Sequence, residues 1–315
     1  MIATEQSGLN VSVVICAHLE ERLADTMAAV SSVRCQSLAP AEIIVVVDHN
    51  PVLHRRLASA LPDLTVVENQ EVRGLSGGKN TGIAMARGDI VAFLDDDAVA
   101  DVNWLKFLVD PYSDPAVAGV GGLTLPSWVT CPPSWFPAEF YWVVGCSYAG
   151  MPTSPGPVRN LFGGNASFRR EIFDTVGRFR SGIGRSVSKR PLGCEETELC
   201  IRLRQQSPGS VLLFDNRAVI WHKVPAARTR ISYFLSRCYA EGLSKAMVTR
   251  SVGMRDGLSA ERRYSSTTLS AGVARGVAAA VRGEPAGLGR SAAIVAGLGA
   301  AGAGYCTGSC HGKGS

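Results

Sequence analysis

Three consecutive carboxylates, Asp95-Asp96-Asp97, close an apolar run, Ile90-Val91-Ala92-Phe93-Leu94. A run of that length between Gly88 and an acidic cluster reads as a buried strand, so the carboxylates stand at its carboxyl end. Open α/β sheets bind ligands just outside such ends. Anions packed this closely repel one another unless a cation neutralises them. A hard divalent cation takes only one or two protein carboxylates and completes its shell with water and phosphate oxygens. The chemistry expected is therefore a Mn²⁺ or Mg²⁺ ion holding a diphosphate. The plain alternative is an acidic loop or a helix cap.

A second acidic group, Glu195-Glu196 with Glu198, opens a helical pattern that runs to Arg204. Acidic side chains also favour the first turn of any helix, so by itself this group has a structural explanation.

The elements that must position these groups alternate. Val11 to Cys16 is a β-branched apolar strand, and Glu20 to Val33 follows with Leu23, Met27 and Val30 at helical spacing. Glu42 to Asp48 is almost wholly apolar, as parallel strands covered on both faces are. Val52 to Ala60 predicts a helix, Leu64 to Val67 a strand and Ser76 to Ala86 a helix entered through glycines, before the acidic strand. Four strands with helical crossovers predict a doubly wound α/β sheet. Two short strands are expected at Val211 to Phe214 and Ala218 to His222.

Two nucleotide-binding signatures are missing. The first strand ends in Cys16-Ala17-His18, without a G-x-G-x-x-G fingerprint. Gly74-Leu75-Ser76-Gly77-Gly78-Lys79-Asn80 is one residue short of a P-loop and carries Asn80 where that loop has Ser or Thr. These glycines could admit a phosphate, with Lys79 or Arg73 beside it, or could form a helix-entry turn.

With 315 residues, 46% of them hydrophobic, the chain can bury one large core or two modest ones. Met1 to Asn10 is mostly polar and offers no leader pattern, so a cytoplasmic protein is expected, at most touching the inner face of a membrane. Nine irregularly spaced cysteines fit reduced thiols better than a disulfide framework. The net charge of +5 is concentrated: Arg228 to Arg263 holds eight basic and three acidic residues among aromatics such as Tyr233, Phe234 and Tyr239. Such a segment suits either an anionic membrane surface or an ordinary solvated helix. No nucleic-acid partner is expected, because no binding motif accompanies the charge.

Taken together, Val11 to Ala17, the strand ending at Asp48, Gly74 to Gly82 followed by Leu94-Asp95-Asp96-Asp97, and Gly193-Cys194-Glu195-Glu196-Thr197-Glu198-Leu199 resemble family 2 glycosyltransferases of the bacterial type. The resemblance spans roughly residues 10 to 225. It implies a GT-A fold, with a Rossmann-like, mostly parallel sheet carrying helices on both faces. It also implies a nucleotide-sugar donor, most simply a UDP-sugar, a divalent cation and transfer with inversion. Asp48 then matches the acid that binds the nucleotide base. Asp95 and Asp97 match the outer members of the DxD motif, Asp97 as metal ligand and Asp95 on ribose or the metal shell, with Asp96 in the variable place. Ala17, Lys79 and Asn80 complete the expected donor site. Leu161 to Arg170 resembles the wall of the sugar pocket, with Asn165 as a sugar or backbone contact.

Glycosyl transfer needs a base for the acceptor hydroxyl. Glu196 matches that position, with Glu195 as the rival, since the family writes Glu-Asp where this chain has Glu-Glu. His222 matches a histidine that completes the metal site or touches the diphosphate. The acceptor is left open among a glycan, a polyprenyl phosphate and a small metabolite. A nucleotidyltransferase using a nucleoside triphosphate, or a non-catalytic binder of sugar nucleotides, would also place acids at a strand end.

Six prolines and several aromatics between Ser127 and Asn160, including Trp128, Trp135, Phe140 and Trp142, suggest an acceptor-side or membrane-side insertion. The expected organisation is a GT-A domain over residues 1–225, with a nucleotide half at 10–125 and an acceptor half at 126–225. A basic, Ala/Gly-rich, helical or partly disordered region covers 226–315. Within it Ser291 to Cys310 is uncharged and long enough to span a bilayer, but too weakly hydrophobic for a convincing transmembrane helix.

Overall fold

A computed structural model describes residues 8–183 and 192–311. In chain order it begins with β1 (Val11–Ala17), α1 (Leu23–Arg34), β2 (Glu42–Val47), α2 (Pro51–Ala60), β3 (Thr65–Glu68), α3 (Leu75–Met85) and β4 (Ile90–Asp95). These are the alternating elements predicted from the apolar runs. β5 (Ala98–Ala100), α4 (Trp104–Val109), β6 (Val117–Trp128), β7 (Gly156–Pro157), β8 (Asn165–Arg169), α5 (Ile172–Thr175), α6 (Glu195–Gln206) and β9 (Val211–Val224) follow. The chain then turns helical: α7 (Ile231–Val252), α8 (Met254–Gly257), α9 (Ser259–Arg263), α10 (Ser270–Val281) and α11 (Ala286–His311).

The sheet runs β3-β2-β1-β4-β8-β6-β9-β5, with β7 on β9. β1 pairs in parallel with both β2 and β4, and β2 with β3. β8 is antiparallel to β4 and to β6, so the sheet is mixed beyond β4. Register sets Cys16 opposite Asp95 and Ala17 opposite Val47, which lines up the carboxyl ends of β1, β2 and β4.

The two short strands expected between Val211 and His222 are one continuous strand, β9. Asp215-Asn216-Arg217 breaks the apolar pattern and looks like a turn, but Asp215 is buried and its carboxylate takes Arg217 Nη2 at 2.7 Å. Asp215 and Arg217 are thus paired within the strand, and Asn216 Nδ2 donates to Thr153 O at 2.9 Å. β6 was not among the expected strands, and Gly119, Gly121 and Gly122 interrupt its apolar pattern. A side chain at Gly119 would come within 2.9 Å of Leu212 and Phe168. Those glycines are packing requirements.

The chain divides into two compact units. The first comprises the chain up to Thr124, Pro152–Ser181 and Leu199–Trp221; the second comprises Leu125–Met151, Gly182–Glu198 and the chain from His222 onward. In the first, alternate strand residues feed two cores, as the two-residue side-chain period requires. Val13, Ile15, Val45, Ala92 and Leu94 pack with Val30 and Val33 of α1, Leu53 and Leu57 of α2, and Trp104 of α4. Val14, Ile44, Val46, Val91 and Phe93 pack on the opposite face with Ile83 of α3, Phe173 of α5, and Leu199 and Leu203 of α6. The second unit has its own core, where Phe136, Phe140, Val144, Phe234, Cys238 and Ile294 meet. The proline-rich aromatic stretch therefore supplies a core: Trp135 stacks on Phe136 at 5.2 Å and meets Phe234 edge-on at 5.5 Å.

Candidate active site

β4 delivers Asp95 at its last position, and Asp96 and Asp97 follow in the turn to β5. Asp96 and Asp97 are buried. Arg22, just before α1, places Nη1 at 2.8 Å from Asp96 Oδ1 and 3.1 Å from Asp97 Oδ2. Burial pushes the Asp96 carboxyl up to about 7, the neighbouring Asp97 adds to this, and Arg22 opposes it. Its Oδ2 is buried with no hydrogen-bond partner among the described residues. Arg22 is thus set against two buried carboxylates of the triplet.

Asp95, Asp97 and His222 each offer a ligand atom, and these atoms lie within 4.8 Å of one another. Two carboxylates and an imidazole are oxygen and nitrogen donors suited to a divalent cation such as Mn²⁺ or Mg²⁺. Room for Asp95 is made locally. Its backbone N–H donates to Gly164 O, and a side chain at Gly164 would lie 2.1 Å from Asp95 Oδ2. His222 is buried on β9, one residue past Trp221, with Gly145 against its ring and Cys146 Sγ 4.0 Å from Nδ1.

Asp48 stands just past β2. Its Oδ1 accepts from Asn69 Nδ2 at 2.7 Å, and its carboxylate takes the Gly74 N–H at 3.0 Å and approaches His49 Nδ1 at 3.0 Å. Burial by itself would raise this carboxyl, but the bonds from Asn69, His49 and Gly74 outweigh it and hold Asp48 below its ordinary value. Beside it a cleft of about 580 Å³ is lined by His18, Leu19, Glu20, Asn50, Arg56 and Arg73. It opens at the carboxyl ends of β1 and β2, where an open α/β sheet takes its ligand.

Other predicted residues are placed in the scaffold. Lys79 is buried, its amine 5.0 Å from the centre of the Phe179 ring and 5.8 Å from that of Phe93. Asn80 clamps the Phe179 backbone, donating to its carbonyl at 2.9 Å and accepting its N–H at 3.0 Å. The glycine-rich helix start has a packing cause. A side chain at Gly77 would strike Val72 O, and one at Gly82 would strike Val14. Asn165 is a knot between strands, with Oδ1 accepting from Trp104 Nε1 at 2.7 Å and Nδ2 donating to Leu123 O and Ala218 O. Ala17 ends β1, buried in register with Val47.

In the second unit Glu195 and Glu196 open α6. Glu195 is buried and Glu196 half-buried. Cys194, immediately before them, has φ +75°, a left-handed conformation costly for a residue with a side chain. Its thiol donates to Glu241 Oε1 at 3.0 Å, while Arg237 Nη1 lies 3.0 Å from Glu241 Oε2. Ser244 Oγ accepts the Gly193 N–H, and Ser251 Oγ donates to Glu198. α7 thereby frames the acidic turn from several side. Burial would raise the Glu241 carboxyl, yet Arg237 and Lys245 hold it below its ordinary value. Arg22, Gly164 and Glu241 were missed from sequence, since each acts through a partner dozens of residues away.

Residues 12–177 match the family described as glycosyl transferase family 2. The chain is 36% identical over 244 residues to the glucosyl-dolichyl phosphate glucuronosyltransferase of Haloferax volcanii, covering 76% of this chain and 77% of that protein. It is 23% identical to the succinoglycan biosynthesis protein ExoM of Rhizobium meliloti, over 74% of this chain and 73% of that one. Among solved structures it is similar to the Pyrobaculum calidifontis mannosyltransferase PcManGT, determined with GDP-Man and Mn²⁺. There the TM-score is 0.55 at 18% identity, over 92% of this chain and 86% of the other, a likeness that shows the GT-A fold. The family match over more than half the chain and the 36% identical relative lead to one conclusion: this chain belongs to glycosyl transferase family 2 and is a glycosyltransferase with a nucleotide-sugar donor, not a nucleotidyltransferase or a mere binder.

Proposed function

We propose that the protein transfers a glycosyl residue, with inversion, from a UDP-sugar to a sugar already carried on a polyprenyl phosphate. The observation that carries the reaction is the Asp95, Asp97 and His222 group, whose ligand atoms share a 4.8 Å neighbourhood. The acceptor class rests on the similarity to the Haloferax volcanii glucuronosyltransferase, which makes a glucuronosyl donor the first to try. Asp95, Asp97 and His222 would hold the divalent cation. Such an ion, when bound, neutralises the charge that develops on the leaving diphosphate.

The remaining work falls to this chain's own side chains. Asp48, ionised at neutral pH, accepts the imide N–H of the base. Asp96 stays within the chain as the partner of Arg22. Glu196 takes the proton from the acceptor hydroxyl as the anomeric carbon bonds to that oxygen and its bond to the diphosphate breaks. Glu196 is preferred over Glu195 because it keeps an accessible surface while Glu195 is buried. The nucleotide half of the chain, the acceptor half and a cytoplasmic location belong to the same proposal.

The test supplies purified protein with a panel of UDP-sugars and a synthetic glucosyl polyprenyl phosphate, and follows the labelled sugar into the lipid phase. Label entering the lipid from one UDP-sugar supports the proposal. Label that enters only water-soluble glycans overturns the acceptor, and transfer that needs a GDP-sugar overturns the donor.

A further inference from the structure

The last two helices carry their residues inside out for a protein surrounded by water. α11 buries small residues: Gly287, Ser291, Ala293, Gly297, Gly304 and Gly308 face inward. Its backbone comes so close that a side chain at Gly304 would lie 2.0 Å from Tyr239 O of α7, and one at Gly287 2.2 Å from Gly276 O of α10. Gly304 and Gly308 form one small-x-x-x-small pair, and Gly272 and Gly276 another. Small residues in this pattern let helix backbones approach closely, as they do between helices surrounded by lipid.

Ile294 enters the core, but several other large apolar side chains are left outside. Val281 is 84% exposed, Val295 61% and Leu288 57%, with Val277 and Leu298 also exposed. Leu288 and Val295 are seven residues apart and so share one stripe, which Ala292, Gly299, Gly302 and Cys306 extend along the helix. From Ser291 to Cys310 there is no charged residue. A soluble helix normally turns charged side chains to water on such a face. Charge lies at the rim instead. Between Arg262 and His311 five arginines stand against one acid, Glu284; Arg275 pairs with Glu139 at 2.6 Å and Arg290 lies 3.8 Å from Glu284, while Arg262, Arg263 and Arg282 are exposed.

We infer that the outer face of α10 and α11 docks onto an anionic lipid surface, with Val281, Leu288, Val295 and Leu298 entering the apolar boundary and the rim arginines meeting the headgroups. One side of α11 is taken by α7 and α10, which leaves its opposite face for the lipid surface. The inference stands on the helices alone and needs neither the donor nor the acceptor proposed above.

The test is flotation of the full chain with phosphatidylcholine vesicles, with and without phosphatidylglycerol, at low and high salt. Vesicles free of any polyprenyl phosphate separate this outcome from that of the acceptor assay. Binding is expected to the phosphatidylglycerol vesicles and to weaken with salt. The double change Val295→Asp and Leu298→Asp should lower partitioning roughly a hundredfold, from the loss of two aliphatic insertions. A thermal unfolding midpoint unchanged in that variant shows that the fold is intact. Wild-type protein that ignores both vesicles, or a double variant that floats as well as wild type, overturns the inference. So does a lipid-free dimer that Val295→Asp dissolves, because the face would then belong to a second copy of the chain.

Discussion

Arg22 Nη1 lies 3.1 Å from Asp97 Oδ2, which sets a cation of the chain itself against a carboxylate proposed to hold the metal. Asp97 and Asp96 are almost fully buried, and the Arg22 side chain is 18% exposed. Arg22 therefore carries part of the neutralisation that the ion completes. In the variant Arg22→Met the carboxylates of Asp96 and Asp97 lose the guanidinium, and stability without metal should fall by about 3 to 5 kcal/mol, as when a buried pair loses one member. Manganese should then restore more stability to the variant than it adds to wild type. Urea unfolding with and without manganese measures both, and an equal manganese increment in the two proteins would contradict the reading.

Gly164 makes room for Asp95, so Gly164→Ala tests the shape of the metal site without altering a ligand. The added carbon would sit 2.1 Å from Asp95 Oδ2 and must displace it. A loss of about 1 to 3 kcal/mol is expected from overpacking. The stabilisation gained from manganese should shrink as well. A variant with the wild-type manganese response would show that Asp95 is not a ligand.

Asp48 predicts a pH dependence. Its carboxyl is held below the ordinary value of 3.8, because the bonds from Asn69, His49 and Gly74 outweigh its burial. A carboxyl lowered on folding contributes stability that is complete above its unfolded-state value and is lost as pH falls through the lowered one. Asp48→Asn should therefore lose stability at pH 7 and show a flatter decline than wild type as pH is lowered through that range. Equilibrium unfolding across the acid range checks this, and parallel curves would contradict it.

The parallel half of the sheet was readable because β1, β2 and β4 are apolar on both faces, a pattern that loops do not have. β6 and the middle of β9 were not. Glycines that a strand needs for close packing, and an Asp-Asn-Arg step whose charge is paired internally, look like turns in a linear reading. At the site, the acidic triplet stood out because it ends an apolar run, His222 was pointed to only by the family resemblance, and the structure brings a ligand atom of Asp95, Asp97 and His222 together. Lys79 and Asn80 were drawn toward the donor by a glycine-rich segment. Their aromatic and backbone partners, Phe93 and Phe179, lie elsewhere in the chain, where a linear reading of that segment does not meet them.

The most direct measurement follows nucleoside diphosphate released from a UDP-sugar in the presence of acceptor, with manganese or with chelator, for wild type, Asp97→Ala and Glu196→Gln. Wild type should release UDP only with the metal, and Asp97→Ala should release almost none. Glu196→Gln should bind UDP normally yet turn over about 10² to 10⁴ times more slowly, the usual contribution of a general base. Wild-type turnover that survives chelation, or a Glu196→Gln rate equal to wild type, would contradict the assignment.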